Sequence, residues 1–341
     1  MPRGRALRRW VVRVAVSAGL GAYILGTHVT AGDIHAAVRG VRIELVAIAA
    51  LVYLAGQGLS ALKWWMLGRS VGFDRPLASY LRFYFIGMFF NVFGPSTLGG
   101  DLVRGLYLGS GRRAGLALGS VVFDRLSGLA VLMALGSAAL LVFPQYRFPR
   151  PVTFTLVAGG ALLLAGWWTL PRLVSLLPAH HRIRRHVEHD LAPFWGDRRL
   201  LLRVALVSLS FHLSQVVLQY VLTRAAGIEV PFRYCLVFHP LLSVLTALPI
   251  SVGGIGVREG GYLYFLGRVG VPEPAAIAVG LVLWLVTLAG GVVGGLVFLV
   301  SGARLPRLRA RHPHAGRVAP GAAGYLPTGV EDVATPSLPR A

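Results

Sequence analysis

Three short stretches of this sequence set ionisable side chains among otherwise apolar neighbours. The first reads Asn91-Val92-Phe93-Gly94-Pro95-Ser96-Thr97-Leu98-Gly99-Gly100-Asp101 and runs on to Arg104. Asp124-Arg125 follows inside a long apolar run. Arg258-Glu259 ends the third, after Leu248-Pro249-Ile250-Ser251-Val252-Gly253-Gly254-Ile255-Gly256-Val257. A guanidinium is a planar fork of donors that grips a phosphate or carboxylate through paired bonds. Carboxylates beside it tune that charge or bind an amine. The candidate substrate-binding residues are therefore Asn91, Ser96, Asp101, Arg104, Asp124, Arg125, Arg258 and Glu259.

Prolines and glycines interrupt the first and third stretches. Pro95 and Pro249 remove a backbone donor, and Gly99, Gly100, Gly253 and Gly254 relax the backbone, so no helix runs through undisturbed. Backbone groups freed inside a membrane need protein or water, so both breaks should line a cavity. A new helix starting near Asp101 would welcome its carboxylate, with Arg104 one turn in. Two readings of that pair stand: Asp101 and Arg104 pin a re-entrant loop, or Arg104 and exposed N–H groups hold a lipid phosphate. Asp124-Arg125 is likewise open between an interhelical ion pair, with Arg104 or Asp101, and a substrate contact. Arg258 and Glu259 are helix neighbours and do not face each other, so at least one reaches another helix or the cavity.

The elements that must carry these residues are membrane helices. Hydrophobic residues make up 55% of the chain and the mean hydropathy is +0.66, outside the range of soluble domains. Apolar runs at about 10–29, 43–62, 116–143, 152–169, 200–223 and 274–301 are long enough to span a bilayer, for which about 20 residues suffice. The stretches 77–110 and 234–269 are apolar but interrupted, too short for two spans and long for one. The fold class expected is an all-α polytopic membrane protein, with about six full transmembrane helices and two broken or re-entrant helical elements.

Loop charge sets the direction of threading. Arg172, Arg182, Arg184, Arg185, Arg198, Arg199 and Arg203 place 170–203 in the cytoplasm, together with the arginines at both termini. That holds only if 77–110 enters and leaves on one side, and 234–269 does the same from the other. An internal repeat agrees. Arg69, Gly72, Asp74 and Pro76 match Arg224, Gly227, Glu229 and Pro231 at an offset of 155, and Pro95, Gly99, Gly100 and Arg104 match Pro249, Gly253, Gly254 and Arg258 at 154. Three spans separate the paired elements, so the repeat is inverted, an architecture recurrent in secondary transporters. The expected organisation is one integral membrane domain, 1–302, with repeat halves at about 43–143 and 200–301 and a cytoplasmic basic loop at 170–199. A Pro/Gly/Arg-rich tail, 303–341, should be disordered. The first span is read as uncleaved, in an inner-membrane protein with both termini cytoplasmic.

The net charge of +21 reports loops resting on anionic lipid, and no nucleic-acid partner is expected. Cys235 is the only cysteine, so no disulfide or cysteine metal site forms. His180, His181, His186, His189 and Asp190 lie in a basic loop and read as a surface helix rather than a metal site; His212 and His239 read as core residues. Gly290, Gly291, Gly294 and Gly295 read as close helix packing. No nucleotide-binding G-x-x-x-x-G-K-[ST] run is present, and no cofactor is expected.

The combination Asn91…Gly94-Pro95-Ser96…Gly99-Gly100-Asp101…Arg104, Asp124-Arg125…Gly128-Leu129 and Pro249…Gly253-Gly254…Arg258-Glu259-Gly260 resembles the lysylphosphatidylglycerol synthase transmembrane-region family, also described as flippase-like. The resemblance spans about 10 to 302. Its best-known members fuse this membrane domain to a soluble aminoacyl transferase and are thought to move the modified phospholipid between leaflets. With only a tail after 302, the resemblance carries over the flippase role and not the synthase activity. Other relatives accompany glycosyltransferases, which leaves lipid-linked sugars open as cargo. Ile255 stands where Asp101 would be repeated, so the halves should play unequal roles. The expected function is a flippase-like transporter of a lipid or lipid-linked headgroup, not an enzyme. Alternatives are a non-transporting partner of a lipid synthase or glycosyltransferase, and a transferase acting on a polyprenyl-phosphate lipid.

Overall fold

Proline and glycine punctuate the chain, and helices fill what lies between. The computed structural model describes residues 39–94, 99–146, 148–178, 196–247 and 256–303, with Gly19, Gly32, His181, Arg184, Phe194 and Gly254 between them. The first span at 10–29, Pro95, Ser96, Pro249, Gly253, the cluster His180, His186, His189 and Asp190, and the tail after 303 lie outside the described residues. The helices are α1 (Ile43–Ser70), α2 (Leu77–Phe93), α3 (Gly99–Leu108), α4 (Ala114–Val142), α5 (Arg150–Ser175), α6 (Arg198–Ala225), α7 (Phe232–Ala247), α8 (Val257–Gly267) and α9 (Glu273–Val300), and no strand occurs among the described residues. All belong to the compact unit Met1–Pro306.

α1, α4, α6 and α9 are long and apolar enough to cross a membrane. Helices of 28 residues reach about 42 Å, against a hydrocarbon core of about 30 Å. Their outer faces carry Leu51, Leu141, Leu202 and Leu296, all exposed, as hydrocarbon solvent permits. The chain is an all-α polytopic membrane protein. Helix starts are set locally: Pro76, Pro149 and Pro272 precede α2, α5 and α9, and the Asp197 carboxylate accepts from the Arg199 and Leu200 N–H groups at 2.8 and 3.1 Å to cap α6. α1 runs eight residues past the expected 62. Lys63 ends the hydropathy signal there, but Trp64, Trp65, Met66 and Leu67 continue the helix.

The interrupted stretches are antiparallel helical hairpins. In the first, Phe83 of α2 stacks on Tyr107 of α3 with ring centroids 5.3 Å apart. Nearer the turn, Gly87 and Gly100 bring the two backbones together so closely that a Cβ on Gly100 would sit 1.8 Å from the Gly87 carbonyl oxygen. Both legs begin and end beside α1's C-terminus, where Gly109 packs on Phe73 and Arg113 donates to the Gly72 carbonyl at 2.5 Å. In the second hairpin the Tyr234 hydroxyl of α7 donates to the Phe265 carbonyl of α8, and Leu242 packs on Gly261.

The two halves share one frame. After α1, Gly72 at φ +79° donates to Arg69 O and Phe73 N to Gly68 O, both at 3.0 Å. After α6, Gly227 at φ +72° donates to Arg224 O and Ile228 N to Thr223 O, at 3.1 and 2.9 Å. These are the same helix stop, built 155 residues apart, and each needs a residue at ease in the left-handed region. Packing repeats too: α4 lays Gly136 against Pro240 of α7, and α9 lays Gly294 against Phe85 of α2. Arg42 N donates to Ala225 O at 2.9 Å, joining the start of α1 to the end of α6. Leu67, Phe194, Leu200 and Val204 cluster at the other end, so α1 and α6 are antiparallel and the repeat is inverted.

Candidate functional site

One face of α1 is polar through the middle of the bundle. Tyr53, Gln57, Ser60 and Lys63 recur at spacings of four, three and three, which stacks them along one side of a helix. They form one wall of a cavity of about 590 Å³. The first hairpin supplies Asn91, Gly94, Asp101 and Arg104, the second Ala247 and Arg258, and α4 Asp124 and Arg125. Since the hairpins start from opposite ends of the antiparallel pair α1–α6, they reach the cavity from opposite sides.

Five charges interlock there. Arg104 donates through Nε to Asp101 Oδ1 at 3.0 Å and through Nη2 to Asp124 Oδ2 at 2.8 Å. Lys63 Nζ lies 3.0 Å from Asp124 Oδ1 and donates to the Asp124 backbone carbonyl at 2.8 Å. Arg125 grips Asp101 with a fork, Nε to Oδ2 and Nη2 to Oδ1, both 2.9 Å. The network ties α1, α3 and α4 to one another. Taking such ions out of water costs several kcal/mol each, repaid only where geometry and hydrogen bonding are complete.

Burial divides the arginines. The Arg104 side chain is 2% exposed and sits between the rings of Trp64 and Tyr84, with centroids 4.9 and 4.8 Å from its guanidinium carbon. Trp64 is fixed in turn by a 3.0 Å hydrogen bond to Ser120 Oγ. The Arg125 side chain is 56% exposed and lines the cavity. Arg104 is the keystone of the network, and Arg125 its open face. Leu129, Leu132, Phe211, Trp284 and Leu288 make the cavity apolar elsewhere.

Of the eight candidate residues, Asn91, Asp101, Arg104, Asp124, Arg125 and Arg258 meet at this cavity. Asn91 also braces the first hairpin, its Oδ1 accepting from Gly100 N at 2.9 Å. Glu259 does not join them: its Oε2 accepts from Gly256 N at 2.6 Å, capping α8 where Gly256 takes φ +81°. Ser96, Pro95, Pro249 and Gly253 lie outside the described residues; Gly99 and Gly100 open α3, and Gly254 stands at φ +79° before α8. His212 Nε2 lies 2.9 Å from the Gly128 carbonyl oxygen, and His239 is buried beside Ser243. Sequence reasoning missed Lys63. Its signal was rarity: 33 of the 34 basic residues are arginine, and the one lysine stands inside a membrane helix beside two tryptophans.

Comparison with known proteins gives this geometry a family. The profile described as Lysylphosphatidylglycerol synthase TM region matches residues 10–295. A UPF0104 membrane protein of Methanothermobacter thermautotrophicus is 22% identical over 277 residues, covering 72% of this chain and 82% of the relative. The chain belongs to the lysylphosphatidylglycerol synthase transmembrane-region family.

Proposed function

We propose that this family member is a flippase-like transporter that moves a lipid or lipid-linked headgroup between leaflets. The observation that carries the reading is the meeting of two hairpins, inserted from opposite sides, at one charged cavity in mid-bundle. An ionised headgroup crossing bare hydrocarbon would lose hydration worth tens of kcal/mol. Fixed charges and polar side chains along α1 replace that hydration, while acyl or prenyl chains stay in lipid. Opening is the work of the hairpins, which pack through small residues at Gly87–Gly100 and Gly294–Phe85. The driving force is a gradient, a partner, or consumption of the lipid on the far side.

Several features support the finer points. Arg69, Arg75, Arg113, Arg198, Arg199 and Arg203 gather at the end of the bundle that holds α1's C-terminus. The positive-inside bias supports that end as the cytoplasmic one, in the cell membrane, in keeping with the cytoplasmic termini expected from their arginines. Asp101 and Asp124 are each engaged by two cations, an arrangement suited to binding rather than to proton abstraction. The family's description ties such regions to a lipid synthase, which supports a synthase or glycosyltransferase as working partner.

The test is lipid movement in proteoliposomes containing the purified chain, with labelled phospholipids and a short polyprenyl-phosphate sugar. One class should cross at least tenfold faster than in protein-free vesicles, and Arg258→Ala should lose most of that rate when compared at equal amounts of folded, monodisperse protein. If well-folded protein moves no lipid, the transport reading falls and a non-transporting partner role replaces it.

A further inference from the structure

We propose that the cavity selects a lipid whose phosphate headgroup is net anionic, with no amine to offset it, and that Asp101 occupies the phosphate's place on Arg125 until the lipid arrives. The proposal rests on the transport reading for its setting, but its chemistry is that of a binding site. The ionisable lining consists of Lys63, Arg104, Arg125 and Arg258 against Asp101 and Asp124, apart from His212 and two tyrosines. Four cations against two acids leave a formal excess of two positive charges among the described residues. No ionisable residue stands in 95–98 or 248–255 to offset it, and the Glu259 carboxylate is turned to the Gly256 N–H. A cationic headgroup would meet like charge in a low-dielectric site, where repulsion is weakly screened.

Arg125 is the cation built to exchange partners. Arg104 and Lys63 are 2% and 6% exposed, both locked by acids and Arg104 by two aromatic rings as well, whereas Arg125 is 56% exposed and lines the cavity. Its two parallel bonds to Asp101 have the geometry a guanidinium uses for phosphate oxygens. When Arg125 turns to a ligand, Asp101 is not stranded, because Arg104 Nε stays on it at 3.0 Å. No other cation of the network combines exposure with a partner held by a second cation. The apolar remainder of the lining, Leu129, Leu132, Phe211 and Leu288, favours a phosphate attached to a chain over a free ion.

Titrations of the full chain in detergent, followed by tryptophan fluorescence, test this with four probes. These are dioctanoyl phosphatidic acid, dioctanoyl phosphatidylcholine, its cationic ethyl ester, and glycerol 3-phosphate. Phosphatidic acid should bind at least tenfold tighter than phosphatidylcholine, and the cationic ester weakest. Arg125→Gln should weaken phosphatidic acid at least tenfold, and Arg125→Lys less. Asp101→Asn, which removes the internal competitor, should tighten it about threefold or more. A purely structural Asp101 would give no gain, and that result overturns the proposal even if Arg125→Gln fails to fold. Equal affinity for all three lipids overturns it as well, and glycerol 3-phosphate binding as tightly as the lipid overturns the lipid assignment. Anion selectivity without lipid movement would sink the transport reading alone; movement without selectivity would sink this inference alone.

Discussion

The two hairpins share a frame and differ in what fills it. The first is bolted to α1 and α4 by Asp101, Arg104, Asp124, Arg125 and Lys63. The second brings Arg258 to the same cavity, at Arg104's place in the repeat, but Ile255 stands for Asp101 and Leu218 for Lys63; with α9 set against α4 by the matching contacts of Gly294 and Gly136, an offset of 158, Val282 stands for Asp124 and Leu283 for Arg125. Its acid, Glu259, serves its own helix start. One hairpin is thus held by long-range ion pairs and the other by local capping, apolar packing such as Leu242 on Gly261, and the neutral hydrogen bond from Tyr262 to Gln219 of α6. Equal topology does not imply equal energetics: the halves should respond differently to the same kind of injury.

Removing an acid gives the largest contrast. Asp124→Ala strands the buried Lys63 and leaves the buried Arg104 to Asp101 alone, and should cost about 3–5 kcal/mol, enough to abolish folded protein on size exclusion. Val282→Ala, at the matching position, should cost about 1–3 kcal/mol and leave the protein monodisperse. If the two melt alike, the first hairpin is not held by its charges. Next come the hairpin crossings. Gly100→Ala drives a Cβ into the Gly87 carbonyl, backbone against backbone, and should lower stability by about 1–3 kcal/mol or more. Gly261→Ala meets only the tip of the Leu242 side chain, which can turn away, so its melting temperature should fall less. The reverse order would mean that the first crossing is loose. Smallest is Glu259→Gln, which weakens one cap and should cost about 1 kcal/mol or less by thermal melting, with ligand affinity unchanged. A loss of affinity there would return Glu259 to the site.

Much of this was legible in the sequence, for reasons that differ by residue. Pro95 and Pro249 announced the breaks because backbone chemistry is local. The repeat announced the inversion, since identical stops such as Gly72 and Gly227 recur wherever the same turn is built. Charges in apolar runs pointed to Asp124-Arg125 and to Arg104 or Asp101 as ion-pair partners, and both pairs form, but their geometry was not legible. Asp101 lies next to Arg104 on one helix and under Arg125 of another, and only the crossing of α3 with α4 makes that fork. Lys63 escaped because a hydropathy run ends at a charge, whereas a helix does not. Of Arg258 and Glu259 at least one was expected to reach another helix or the cavity, and Arg258 does; the reach of Glu259 back to Gly256 N is a capping geometry that two adjacent charges do not reveal.

The antiparallel packing of α1 on α6 has a last consequence. The two repeat halves carry the same fold once upward and once downward, so turning the pair over exchanges one half for the other. Any vectorial behaviour of the molecule is then written in the side chains by which the halves disagree, and at the cavity the disagreement is one of charge. Lys63, Asp101, Asp124 and Arg125 stand on one side of that ledger and Leu218, Ile255, Val282 and Leu283 on the other. The direction in which the molecule faces its work is a question that begins with these four pairs of residues.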